Sequence, residues 1–267
     1  MADRGRMLAE QMGWNMTIRH TVEWAANSFL SPAVAGLLAE HQENSVRELA
    51  DWCRSRSSCE VSTRVPKGSP SWEIARASKE AEVVLLGSSS VESEYTGPVA
   101  RRVAEAIRSD VIVVRRQPRV PYRRVVVGID LSEASARAVD RACELAPDAE
   151  MTLVFALPTR FESFMSDAGM FAEEIDLARK RRTAAAEEAV ARFAERWPQA
   201  KTVVALGPPP DVIGETARRR SADLVVVGSR GANATRIVLV GSTPSVLLDS
   251  SPCDLAIIRI PADFRRP

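Results

Sequence analysis

The sequence predicts an α/β protein built from two tandem doubly wound parallel-sheet domains, and three observations lead to this. Short apolar runs alternate with longer amphipathic segments in the second half of the 267-residue chain, which is typical of parallel strands buried between helices. Much of this pattern recurs in the first half, at an offset of about 140 residues. A glycine-rich run also follows one of the apolar strands directly, as it does where such sheets hold ligands.

Five strands are predicted in the second half, at residues 125–129, 152–156, 202–206, 224–227 and 255–260. Helices are predicted near residues 133–145, 172–197, 210–219 and 243–248. Pro198 cannot continue a helix and marks the end of the second one. The spacing predicts the strand order 3-2-1-4-5, with the ligand at the carboxyl ends of the strands where the order reverses.

The repeated stretches define two domains. Those that begin at Met16, Ala81 and Ser109 correspond to those that begin at Met151, Ala222 and Cys253. Residues 116–121 carry two prolines and no apolar periodicity, which predicts a linker. We therefore expect a first domain at residues 1–118 and a second at 122–261.

The first domain has no counterpart of the strand at 125–130. A helical segment at 4–12 leads straight to a strand at 17–22, so the central strand is missing from this sequence. Its two neighbours would then have unpaired N–H and C=O groups, which is costly when they are buried. Three explanations stay open: the neighbours pair directly, a partner covers them, or the given chain lacks its true N-terminus.

The glycine-rich run behind the fourth strand of the second domain predicts a phosphate site. Gly228, Gly231 and Gly241 let the backbone approach an anion, and the helix that follows offers unpaired N–H groups with a favourable dipole. Ser242 adds a hydroxyl group. The alternative is a structural connection whose glycines only relieve a tight turn.

Asp130 is the second candidate, because it ends the first strand of the second domain at the same edge of the sheet. It could contact a ligand or cap the following helix, and the two roles are compatible. Arg230 and Arg236, in the glycine-rich loop, could reach phosphate oxygens, although exposed loop arginines are the more common case.

The second domain resembles the universal stress protein family. The resemblance rests on Gly228-x2-Gly231-x9-Gly241-Ser242 and on the Asp130-Leu131-Ser132 corner. It implies an adenine-nucleotide-binding domain that takes ATP, with or without Mg²⁺. In such a site the carboxylate at 130 would meet the nucleoside and the main chain at 156 the adenine edge, while the glycines would approach ribose and phosphate. The implied cofactor-binding residues are Asp130, Ala156, Gly228, Gly231, Gly241, Ser242 and Thr243.

The first domain matches this pattern less well. Thr21 matches the adenine-edge position, but the aspartate is absent and Gly97-Pro98 replaces Gly-Ser. Glu92 and Glu94 fall where phosphate would lie, and like charges oppose an anion there. We expect the first domain to have lost nucleotide binding.

Composition excludes several other classes. A formal net charge of +1 gives no global attraction to nucleic acid or to an anionic membrane. No apolar stretch approaches the roughly 20 residues that span a bilayer, and the four cysteines form no C-x-x-C pair, so neither zinc nor disulfides are predicted. We expect a cytoplasmic protein with reduced thiols that binds neither nucleic acid nor membrane.

Catalysis is not predicted. Both histidines, His20 and His41, lie in the first half, and the Gly-x4-Gly-Lys-Ser/Thr phosphate loop is absent. The leading hypothesis is a non-catalytic, ATP-binding regulatory module of the stress response, and the alternatives are a slow nucleotide hydrolase and an interaction or scaffold protein of the same fold. In the family such domains pair through edge strands, so residues 111–115 and 255–260 are expected to form an intramolecular pseudo-dimer, with a homodimer as the other assembly.

Overall fold

The computed structural model describes residues 1–22, 31–87, 96–117, 120–159, 171–229 and 240–259. The chain divides into two compact units, Met1–Pro121 and Tyr122–Pro267. Among the described helices, none has the length and apolar character needed to cross a bilayer.

The first unit contains two separate pairs of parallel strands. β1 pairs with β2, and β3 pairs with β4. The strands are β1 (Met16–Arg19), β2 (Val61–Arg64), β3 (Val83–Gly87) and β4 (Asp110–Val114). The helices are α1 (Ala2–Met12), α2 (Pro32–Arg54), α3 (Pro70–Ala77) and α4 (Pro98–Ala106).

No described strand of the first unit joins β1 to β3, which is the place predicted to have lost its central strand. Direct pairing of the two neighbours, one of the three explanations considered from the sequence, is therefore wrong. The small core around β1 and β2 is closed by α2 instead, through Val46, Ala50 and Cys53, which pack with Ile18 and Val61.

The second unit is a five-stranded parallel sheet in the predicted order 3-2-1-4-5, observed as β7-β6-β5-β8-β9. Its strands are β5 (Arg124–Ile129), β6 (Glu150–Leu157), β7 (Lys201–Leu206), β8 (Leu224–Gly228) and β9 (Asp254–Ile258). Its helices are α5 (Glu133–Leu145), α6 (Ala172–Ala194), α7 (Pro209–Arg219) and α8 (Ser242–Ser250). The α/β fold class is confirmed.

Burial explains why the sequences of β8 and β9 are almost continuously apolar. Leu224 of β8 and Leu255 and Ile257 of β9 have no exposed surface, because a parallel sheet carries helices on both of its faces. The predicted bounds differ at some ends: α6 stops at Ala194, before 197. Proline disfavours helical conformation in the residue before it, so Pro198 acts on the turn ahead of it.

Candidate functional site

The strand register of the second unit brings three predicted site residues to one edge of the sheet. Ile129 lies opposite Phe155, so the next residues along the two strands, Asp130 and Ala156, are level with each other. Gly128 lies opposite Val227, which places Gly228 one step further along β8. The carboxylate, the β6 main chain and the glycine therefore sit on three adjacent strands where the strand order reverses.

Asp130 stabilises the turn that connects β5 to α5. Its Oδ1 accepts hydrogen bonds from the Ser132 N–H, at 3.1 Å, and from the Ser132 hydroxyl. Ser132 in turn caps α5, since its Oγ accepts the Ser135 N–H at 3.2 Å. The idea that Asp130 itself is the N-cap is corrected: the cap is Ser132, and Asp130 fixes its orientation.

Leu131, inside this corner, has φ of 63°. That is the left-handed region, which costs a residue with a Cβ roughly 1 kcal/mol or more. Nothing in the sequence signals this, because a glycine or asparagine would be the usual residue here. The corner is thus held in a strained conformation next to the Asp130 carboxylate.

We expect Leu131→Gly to be more stable than Leu131→Ala by about 1 kcal/mol. Both changes remove the same side chain, but only alanine keeps the Cβ that clashes when φ is positive. At an ordinary position the order is reversed, because glycine loses more backbone entropy on folding. Urea unfolding of the two variants measures the difference, and alanine being equal or more stable would show that the corner is unstrained.

The α8 terminus provides the second part of the site. Gly241 is the N-cap residue, and no side-chain hydrogen bond caps this helix. The Gly241 N–H donates to the Ser229 carbonyl at 2.7 Å, and the buried Ser229 donates its own N–H to Ile258 at 2.8 Å. Gly241 is therefore tied to the end of the sheet, and its amide is already engaged.

The donors left for a ligand at this terminus come from the first helical turn. Ser242 and Thr243 carry backbone N–H groups at the first two helical positions, Pro244 has none, and the Ser245 N–H bonds the Gly241 carbonyl at 3.1 Å. Ser242 is exposed and Thr243 is half-buried. Within the described part of the chain, two amides and two hydroxyls thus remain at the positive end of the helix dipole.

The same place in the first unit has fewer hydrogen-bond donors, because Pro98 and Val99 stand where the second unit has Ser242 and Thr243. There Gly97 is the N-cap of α4 and Pro98 occupies the first helical position, so the N–H that Ser242 supplies in the second unit does not exist. The predicted residues Gly231, Arg230, Arg236, Glu92 and Glu94 lie outside the described residues.

Nucleophilic thiols and metal ligands do not mark this site. Burial, together with the carboxylates of Asp140 and Glu144, raises the pKa of the Cys143 thiol. Burial also raises the pKa of Cys53. Because the thiolate is the reactive form, both side chains are poor nucleophiles at neutral pH. Within the described ranges, no cluster of three or more His, Cys, Asp or Glu residues could hold a metal ion.

A family model described as "Universal stress protein family" matches residues 121–259, just over half of the chain. The chain belongs to this family. Among its relatives, universal stress protein YxiE of Bacillus subtilis is 30% identical over 147 residues, which is 52% of this chain and 99% of that protein. A putative universal stress protein of Staphylococcus aureus strain USA300 is 28% identical over 160 residues, 55% of this chain and 91% of its own length.

Solved structures extend the likeness in fold over both units. A universal stress protein from Archaeoglobus fulgidus superposes with a TM-score of 0.69 over 96% of this chain and 90% of its own, at 17% identity. A putative universal stress protein from Pseudomonas aeruginosa has a TM-score of 0.61 over 93% of this chain and 94% of its own, at 16% identity. At such identities the likeness concerns the fold alone.

Proposed function

We propose that the second unit binds ATP at the carboxyl edge of its sheet, and that the chain is a nucleotide-binding regulatory module of the stress response rather than an enzyme. One observation carries the proposal. The register brings Asp130 level with Ala156, and Gly228 level with Ile129, the residue before Asp130. The α8 terminus, which has no side-chain cap among the described residues, is anchored to the same edge through the bond between Gly241 and Ser229.

Each group has a part suited to one portion of the nucleotide. The Asp130 carboxylate accepts a hydrogen bond from the nucleoside, and the Ala156 main chain meets the adenine edge. Gly228 and Gly231 lack side chains and so admit the ribose and phosphates. The Ser242 and Thr243 amides and hydroxyls donate to phosphate oxygens, which a helix N-terminus favours electrostatically. Mg²⁺, where present, is bound by the phosphate groups of the nucleotide.

Two features of the second unit favour a regulatory role over catalysis. It contains no histidine, so it cannot supply a histidine base, and the partial burial of Cys143 raises its pKa and opposes a thiolate nucleophile. A bound nucleotide then acts by binding one state of the protein better than another, which shifts their populations without turnover. The cytoplasmic location predicted from the sequence fits this role.

Calorimetric titration of the purified chain with ATP tests the proposal. We expect saturable binding of one ATP per chain, in the second unit alone, and phosphate release no faster than the spontaneous rate. The missing N–H at Pro98 accounts for the single site. No heat of binding would reject the nucleotide site in favour of an interaction protein. Sustained phosphate release, lost on Asp130→Ala, would favour a hydrolase.

A further inference from the structure

Two hydrogen bonds from other elements fix the chain that follows Ala156 in the second unit. The Gly207 N–H, just after β7, donates to the Leu157 carbonyl at 3.0 Å. Arg182 of α6 donates from its Nη2 to the Pro158 carbonyl, also at 3.0 Å. These carbonyls belong to the two residues that come directly after Ala156, so β7 and α6 together set the position at which β6 ends.

The direction of these bonds also determines where the main chain of Ala156 points. Successive residues of a strand direct their N–H and C=O groups to alternate sides. Because the Leu157 carbonyl faces β7, the main-chain groups of Ala156 face the other side, toward β5. There β5 ends at Ile129, one residue before the level of Ala156. The Ala156 carbonyl therefore points past the end of β5, into the gap assigned above to the adenine edge.

Arg182 is well placed to control this main chain, because it connects the amino-terminal half of α6 to the sheet. Among the residues of α6, all of which the structure describes, only Val190 is buried. The chain at the carboxyl end of α6 is fastened to α5, where Arg196 Nη2 and Trp197 Nε1 donate to Asp140 at 3.2 and 3.0 Å. The half ahead of Val190 has less apolar packing, so a charge-assisted hydrogen bond contributes much of its attachment.

We propose that Arg182 is a positioning residue for the nucleotide base, which holds the chain after β6 and thereby sets the preference for adenine. Adenine carries an amino donor where guanine carries a carbonyl oxygen. The Ala156 carbonyl accepts a hydrogen bond from the first and repels the second, so its placement decides between the two bases. This inference rests on the proposed function and adds to it a residue outside the predicted site.

Titration of the full chain with ATP, GTP and inorganic tripolyphosphate tests the role of Arg182. We expect Arg182→Gln to weaken ATP binding about tenfold, as the loss of one hydrogen bond from a charged donor implies. The preference for ATP over GTP should fall by about the same factor. Tripolyphosphate has no base, so its affinity should not change. Arg181→Gln, at the exposed neighbouring position on α6, is the matched control and should leave all three affinities unchanged.

Hydrogen exchange of the nucleotide-free chain gives a readout that does not depend on ATP. The Gly207 amide is bonded to the Leu157 carbonyl, so its exchange reports how firmly the end of β6 is held. We expect faster exchange at Gly207 in Arg182→Gln and an unchanged rate in Arg181→Gln. Equal rates in the two variants would show that Arg182 does not hold this segment, and would overturn the inference.

The titrations separate failure of this inference from failure of the proposed function. If the wild-type chain binds ATP and Arg182→Gln keeps the same preference over GTP, the inference alone is overturned. Equal losses for ATP and tripolyphosphate would also overturn it, because Arg182 would then act on the phosphates or on folding. A wild-type chain that binds no ATP would reject the proposed function and this inference with it.

Discussion

Replacing Asp130 with alanine is expected to weaken ATP binding by about 10- to 100-fold, as the loss of a charge-assisted hydrogen bond worth roughly 1.5–3 kcal/mol implies. The carboxylate lies level with Ala156 at the carboxyl edge of the sheet. The change also releases the Ser132 N–H and hydroxyl. Calorimetric titration of wild type and variant measures the loss.

Asp223→Ala is the matched control for Asp130→Ala. Its carboxylate also accepts backbone N–H groups at a strand end, those of Arg123 and Arg124, but at the amino edge of the same sheet. We expect a comparable loss of stability and unchanged ATP affinity. Ser132→Ala disturbs the corner and leaves the carboxylate, so it should weaken binding far less than Asp130→Ala. Equal losses in all three variants would mean that Asp130 acts only through folding.

Replacing Gly128 with valine is expected to destabilise the second unit by about 3 kcal/mol, near the upper end for overpacking of a core. A Cβ at this position would lie 2.5 Å from Ile213 Cδ1 and 3.2 Å from Val227 Cγ1, well inside the 3.5–4.0 Å of an ordinary carbon contact. Ile213 and Val227 are both 3% exposed, so they have little room to move. Denaturant unfolding followed by tryptophan fluorescence gives the change.

Shortening Ile213 tests whether this clash is the cause. Gly128→Ala alone should destabilise by about 1–2 kcal/mol, whereas adding Ile213→Val removes the Cδ1 atom and should recover part of the loss, which gives a favourable coupling in a double-mutant cycle. Additive effects would contradict close packing between β5 and α7.

Local sequence patterns predict helices and strands well where the apolar pattern of the segment itself sets the structure. The continuous apolar run at 224–227 predicts a buried strand, and burial of Leu224 with no exposed surface is its cause. The sequence pattern predicts a helix to residue 197, whereas α6 ends at Ala194. Proline disfavours helix in the residue before it, which accounts for residue 197. The pseudo-dimer through the two edge strands stays a prediction.

The sequence predicts which residues form the site, but it does not predict the hydrogen bonds among them. Asp130 was found because it ends a strand, yet its bond to Ser132 depends on the left-handed conformation of Leu131, which no apolar pattern encodes. The sequence predicts Gly241 as a phosphate contact, but its N–H donates to the Ser229 carbonyl. Folding brings distant groups together, and some donors that the sequence suggests are available to a ligand are then hydrogen-bonded within the protein.

The sequence by itself determined the tandem α/β plan, the strand order of the second unit and the absence of a strand between β1 and β3 among the described residues. Apolar periodicity and repeat spacing carry that information because burial depends on which residues share a strand or helix face. Only the tertiary structure decided that β1 and β3 stay apart around a cavity, and that no described residue accepts a hydrogen bond from the Ser242 or Thr243 donors of the α8 terminus. These outcomes depend on distances between segments far apart in the chain, which packing sets and local sequence does not.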